Sequence, residues 1–213
     1  MKRALSNRDV LAARFPTAPF DGQWLRSIGR PRLAGTWIIF GGSGSGKTTF
    51  TLLLAKYLAR FARVAYNSLE QGLSPTLQRA WSRVSMQEAG TSIVLLEREQ
   101  LPDIRQRLKS RRPPNVIVID SLPYLDQFFW RDYVLLTKMH PDTLFIFIAH
   151  EKNGHPEGAL ARRIRYDADV KIRVCGYKAF FTTRYEDPDR HEGGADYIIW
   201  PEGAARFWGT PQQ

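Results

Sequence analysis

The chain has 213 residues, 43% of them hydrophobic and 12% aromatic, and its 31 lysines and arginines outnumber 21 acidic residues for a formal charge of +10. That composition suits one globular domain with a large core and excludes an intrinsically disordered chain. The longest clear apolar run, Leu144 to Ala149, is too short to span a membrane, and no apolar signal core follows Lys2 and Arg3. The single Cys175 cannot form an internal disulfide, so the expectation is a cytoplasmic protein with no membrane partner.

Taken in order, Ser6 or Asn7 caps a short helix that runs to Phe15 and is broken by Pro16 and Pro19. From Phe20 to Ala34, the glycines and Pro31 around Trp24 and Ile28 predict an ordered arm without regular structure, packed on its own core or on a neighbouring subunit. Trp37 to Phe40 reads as a short buried strand. The glycine-rich stretch Gly41-Gly42-Ser43-Gly44-Ser45-Gly46-Lys47-Thr48 follows it, and Thr49 to Leu58 then has apolar positions at helical spacing. Strand, glycine turn and helix in that order make G-x-x-x-x-G-K-[ST] a phosphate-binding loop. Its backbone N–H groups and the helix N-terminus face one anion, Lys47 reaches the β- and γ-phosphates, and the Thr48 hydroxyl sits on Mg²⁺. The chain is expected to bind a nucleoside triphosphate. A bound triphosphate with one Mg²⁺ offsets only about two of the excess positive charges. The rest favours nucleic acid as a partner over a merely basic surface.

Val64 to Glu70 is a strand that ends in a carboxylate. Ser74 and Pro75 open a helix to Arg83 with Leu77, Ala80 and Trp81 facing inward. Ser92 to Leu96 is a strand, Leu101 to Lys109 a helix, and Asn115 to Ser121 an apolar strand carrying Asp120 at its end. Leu125 to Met139 reads as helix and Leu144 to Ala149 as a buried strand ending in His150. The polar stretch Glu151 to Asp169 follows. Val170 to Val174, Ala179 to Tyr185 and Asp196 to Trp200 alternate like antiparallel strands. The layout is α/β with an antiparallel C-terminal extension.

A carboxylate at the C-terminal end of a strand, as at Asp120, lies where open α/β sheets bind ligands and can hold Mg²⁺ opposite Thr48. Glu70 ends a strand near the same edge and is either the group that orients and deprotonates an attacking water or a solvated loop carboxylate. His150 either touches the γ-phosphate and relays its loss to the next loop or caps that loop.

Four stretches in order resemble the RecA-like ATPases, closest to the group holding RadA and the replicative hexameric helicases of DnaB type. They are Gly41 to Thr49, Asn67-Ser68-Leu69-Glu70, Val116 to Leu122, and Tyr166-Asp167-Ala168-Asp169-Val170-Lys171-Ile172. The resemblance implies a RecA-like P-loop fold, with a mostly parallel central sheet flanked by helices, over residues 34–213, after an N-terminal helix and arm over residues 1–33. It implies ATP and Mg²⁺ as cofactors, a phosphate site from Gly41, Gly42, Ser43, Gly44, Ser45, Gly46, Lys47, Thr48 and Thr49, metal contacts from Thr48 and Asp120, and Glu70 as catalytic base. His150 stands where the family usually has a sensor glutamine. The segment Glu151 to Tyr166 corresponds to a DNA-binding loop and carries Lys152, Arg162, Arg163 and Arg165, so single-stranded DNA is the expected nucleic acid. The family works as rings or filaments in which a basic residue reaches the neighbour's γ-phosphate, and Arg184 is the choice here over Lys171, Arg173 and Lys178. The expected function is an oligomeric DNA motor, recombinase or loader, working with partner proteins of a DNA-processing machine. The alternatives are a small-molecule kinase whose lid is Glu151 to Arg165, and a nucleotide-gated adaptor that assembles with partner proteins.

Overall fold

The computed structural model describes residues 3–209, so the first two and last four residues of the expected segments lie outside it. The chain builds helix α1 (Asn7–Ala12), α2 (Gly22–Ile28), β1 (Gly35–Gly41), α3 (Lys47–Leu58), β2 (Val64–Ser68), α4 (Pro75–Arg83), β3 (Ile93–Glu97), α5 (Leu101–Leu108) and β4 (Val116–Asp120). It continues with α6 (Trp130–Met139), β5 (Leu144–Lys152), β6 (His155–Pro156), α7 (Ala159–Asp167), β7 (Val170–Cys175), β8 (Lys178–Thr183), β9 (Tyr197–Ile198) and α8 (Pro201–Trp208).

Among the described residues, nine strands form one sheet in the order β3-β2-β4-β5-β1-β7-β8-β9, with β6 paired to β5 outside that path. Pairing is parallel from β3 through β7 and antiparallel for β8 and β9. Alternate side chains leave opposite faces, and both faces are covered, which is why the strands read as near-continuous apolar runs. Trp37, Ile39, Tyr66, Val118 and Ile146 join one core with α2, α3 and α4. Ile38, Phe40, Ile117, Ile119 and Phe147 join a second core with α5, α6 and α7. Because β5 lies between β1 and β4, the strand carrying Asp120 is not the neighbour of the strand carrying the phosphate loop.

Several segments differ from the sequence expectation. Residues 22–28, expected to be irregular, form α2, whose Trp24 and Ile28 are buried. Two turns have little intrinsic stability, and tertiary packing supplies it. Trp24 stacks on Tyr57 and Tyr197, and the amides of Gly193, Gly194 and Ala195 donate to the carbonyls of Leu25, Ser27 and Arg26. The helix expected from Leu125 begins at Trp130, after a single 3₁₀ turn at Leu122–Tyr124. The polar stretch after His150 is not a loop. Strand β5 runs on to Lys152, Asn153 and Gly154 turn with positive φ into β6, and α7 follows with Ala161 and Ile164 buried. Asn-Gly is the preferred pair for such a two-residue turn. Helix α8 has no counterpart in the sequence reading.

Trp24→Ala should lower the unfolding free energy by about 3–5 kcal/mol, as for truncation of a packed core aromatic, seen as a lower urea midpoint with an unchanged slope. A loss near zero in equilibrium unfolding would mean that α2 is not part of the core.

Candidate active site

Register places the site. Gly41 pairs with His150 across β1 and β5, and Ser68 pairs with Asp120 across β2 and β4, so all four strand ends meet at one edge of the sheet. The loop from Gly42 to Gly46 leaves that edge and feeds α3. A cleft of about 370 Å³ there is lined by Gly42, Ser43, Gly44, Gly46, Lys47, Thr48 and Thr49 together with Glu70, Gln71, Asp120, His150 and Tyr177. Two positions here favour glycine, Gly41 for want of space and Gly46 chiefly for its backbone conformation. A Cβ on Gly41 would lie 2.2 Å from the Val174 carbonyl oxygen, and Gly46, with φ of 98°, would press one on the Tyr177 ring at 3.3 Å. Tyr177, at the β7–β8 turn, also donates its amide to the Ser45 carbonyl at 3.1 Å, tying the loop to the antiparallel extension.

The polar side chains of the cleft are held by hydrogen bonds within the protein. Lys47 Nζ donates to the carbonyls of Gly41 and Gly42 at 2.8 and 3.0 Å. Burial lowers its pKa, opposed by the charges of Asp120, Glu70 and Glu151. Tyr66, fully buried, donates its hydroxyl to Asp120 Oδ2, and burial and Asp120 hold that phenol well above its ordinary pKa, so it stays a donor. Asp120 itself is raised to about 6, first by burial and then by Glu70, against the Tyr66 hydrogen bond, Lys47 and His150. The Ser121 hydroxyl, 1% exposed, donates to Glu70 Oε2 at 3.1 Å, and His150 Nε2 lies 3.9 Å from the same oxygen. The Leu69 and Glu70 amides both donate to the Asp120 carbonyl, at 2.7 and 3.1 Å.

The structure thus brings Lys47, Thr48, Thr49, Glu70, Asp120 and His150 into one cleft. Among the described residues there is no group of three or more His, Cys, Asp or Glu side chains able to hold a metal. Asp120 and the Thr48 hydroxyl suit Mg²⁺, which keeps most of its waters and takes phosphate oxygens in place of a protein cage.

Arg184 lies elsewhere. β7 runs parallel to β1 and β8 returns, so Arg184 sits level with the start of β1, where it pairs with Asp169 at 3.0 Å. Lys152 and His155 flank the β5–β6 turn. Arg162, Arg163 and Arg165 lie on α7, with Arg163 over the Trp130 ring at 4.1 Å and Arg165 over Phe40 at 5.5 Å.

Sequence reasoning missed Tyr66, Gln71, Ser121 and Tyr177, and of these only Gln71 and Ser121 had a signal, being next to residues it had chosen. It also missed a second cavity of about 640 Å³ that shares Gly46, Thr49 and Tyr177 with the cleft and is walled by Leu53, Arg83, Val84, Ile199 and Trp200. Tyr177 and Trp200 meet edge to face at 5.0 Å in its wall. Phosphate groups and an aromatic ring can therefore be held side by side, as in a nucleotide.

No family model matches the chain, and no curated protein is found similar to it. Solved structures are similar. One of them, an isolated ATPase domain, is 15% identical over 81% of this chain and 83% of its own, with a TM-score of 0.55. A KaiC-like protein from Pyrococcus horikoshii OT3 is 17% identical over 78% and 85%, with a TM-score of 0.55. The RadB recombinase is 19% identical over 82% and 92%, with a TM-score of 0.51.

Asp120 provides a pH test. Folded, it holds its proton up to about pH 6, against an ordinary value of 3.8. A raised acid contributes stability that is complete below the unfolded value and lost as pH rises through 6. Asp120→Asn removes that loss, so without nucleotide or metal the variant should exceed wild type by about 2–3 kcal/mol at pH 7.5, converging toward pH 4. Urea unfolding at both pH values measures this, and an equal gap at both would contradict it.

Proposed function

We propose that this chain, whose fold is that of the RecA-like P-loop ATPases, is a magnesium-dependent ATPase that acts as an oligomer on single-stranded DNA. The observation that carries the reading is Glu70, a carboxylate held by a buried hydroxyl in the same cleft as Lys47, Thr48 and Asp120. Lys47 leaves its two loop carbonyls for the β- and γ-phosphates, and the backbone N–H groups of the loop take up their charge. The second cavity takes the base against Tyr177 and Trp200. Thr48 and Asp120 would hold Mg²⁺, which supplies charge neutralisation at the phosphates when bound. Glu70 accepts the proton of the attacking water, and Ser121 fixes the carboxylate for that task. A kinase is the weaker reading, because its expected lid is the β5–β6 hairpin and a helix packed on the sheet.

The assembly reading rests on Arg184. Its place at the far end of the sheet from its own phosphate loop supports a role on the γ-phosphate of a neighbouring subunit, in a ring or filament. The DNA reading rests on charge and on α7. Lys152 and Arg162 are exposed, Arg163 stacks on Trp130, and Phe129 beside it is 65% exposed, which together offer phosphate contacts and stacking surfaces. One similar structure belongs to a recombinase, which agrees with this partner.

Glu70→Gln should keep ATP binding and cut turnover by about 10²–10⁴-fold, whereas Lys47→Ala should lose binding itself. Wild-type turnover in Glu70→Gln would remove it as the base, and assembly in a non-hydrolysable analogue with scarcely any wild-type turnover would favour an adaptor.

Arg184→Ala subunits should bind ATP without hydrolysing it and recover activity when mixed with Lys47→Ala subunits. Confirmed mixed assemblies that stay inactive at every ratio would rule out the trans role.

For single-stranded DNA, log affinity should fall against log salt by about 0.7 per phosphate contacted, so Lys152→Ala with Arg162→Ala should flatten the slope by about 1.4. An unchanged affinity and slope would move the DNA site away from α7 and the β5–β6 turn.

A further inference from the structure

Of the polar side chains that line the phosphate cleft, Gln71 stands apart. Lys47, Asp120 and Glu70 each have protein hydrogen-bond partners, but Gln71 Oε1 is buried with no protein donor. Buried amide oxygens are nearly always satisfied by protein or water, so this acceptor is available to a water or ligand. Its backbone is held firmly. Arg98 donates to the Gln71 carbonyl at 3.3 Å, and the amides of Gly72 and Arg98 both donate to the Ser68 carbonyl. Leu69 and Glu70, just before it, are tied to the Asp120 carbonyl. Gln71 therefore shares with Glu70 a short turn pinned at both ends, and its side chain reaches the cleft in which the γ-phosphate is to be hydrolysed.

We propose that Gln71 is a second positioning residue for the attacking water, its side chain turning toward the cleft so that the amide oxygen accepts one O–H while Glu70 accepts the other. This rests on the reading of the cleft as a site of ATP hydrolysis. A water that donates both protons in this way is left with its lone pair free for the γ-phosphorus. As the new P–O bond forms, the bond from the γ-phosphorus to the bridging oxygen of ADP breaks. The proton toward Glu70 passes to that carboxylate, and the proton toward Gln71 stays on the new phosphate oxygen. Gln71 takes up no proton itself, so its part is geometry and not acid–base chemistry.

The test is the steady-state kinetics of Gln71→Met and Gln71→Glu beside wild type, with affinity for a non-hydrolysable ATP analogue measured on each. Methionine fills similar space without an acceptor oxygen, and it should lower kcat by about 10²-fold while KM and analogue affinity stay within about twofold. Glutamate restores an acceptor oxygen and should recover about tenfold of that loss, short of wild type because its charge sits beside Glu70 and Asp120. The proposal is overturned if Gln71→Met turns over at the wild-type rate. It is overturned as well if the variant loses analogue affinity in step with kcat, which marks a structural role. Wild-type protein that binds the analogue yet never hydrolyses ATP would overturn the hydrolase reading, and this inference with it.

Discussion

The main-chain carbonyl of Asp120 accepts hydrogen bonds from the amides of both Leu69 and Glu70. On this pair of bonds the geometry of the site depends. They join the end of β4 to the turn after β2, strands already in register at Ser68 and Asp120. The carboxylates of Asp120 and Glu70 are thereby brought to the same end of the sheet. β5 brings His150 against the same oxygen of Glu70 that Ser121 holds, and β1 brings the phosphate loop in beside it. A parallel sheet makes this possible because all its strands deliver their C-terminal ends to one edge.

That arrangement concentrates negative charge in a partly desolvated cleft. Burial and Glu70 make Asp120 a reluctant carboxylate, Tyr66 and Lys47 only partly offset this, and Lys47 is spread over two loop carbonyls. The positive charge of Lys47 is therefore the main local balance to these two carboxylates. Holding two carboxylates this close costs stability, which Asp120→Asn would return.

The segments that look peripheral in the chain close the site from the other side. Tyr177 on the β7–β8 turn holds the loop at Ser45 and rests on Gly46, and Ile199 and Trp200 after β9 complete the second cavity. Those residues are in turn supported by α2, whose Trp24 stacks on Tyr197 and whose last carbonyls are taken by Gly193, Gly194 and Ala195. The arm before β1 and the extension after β7 are physically one wall.

The sequence by itself determined the glycine-rich loop between β1 and α3, the strand that ends in Asp120, the strands that lead to Glu70 and through His150, and the α/β layering, because each is written in local periodicity and turn chemistry. Ser74 and Pro75 opened a helix for the same reason. It also held the Asn153-Gly154 turn in plain view, although the polar, glycine-containing composition of Glu151 to Asp169 made that stretch look like a loop. Only the tertiary structure decided the rest. Helix α2 exists because aromatic residues more than a hundred positions apart stack on one another, Tyr197 on Trp24. Ser121 and Tyr177 matter because of what they meet from distant parts of the chain, Glu70 and the Ser45 carbonyl. Arg184 is sent to the opposite end of the sheet by the reversal of β8. None of these contacts is local, so no window of sequence contains both partners.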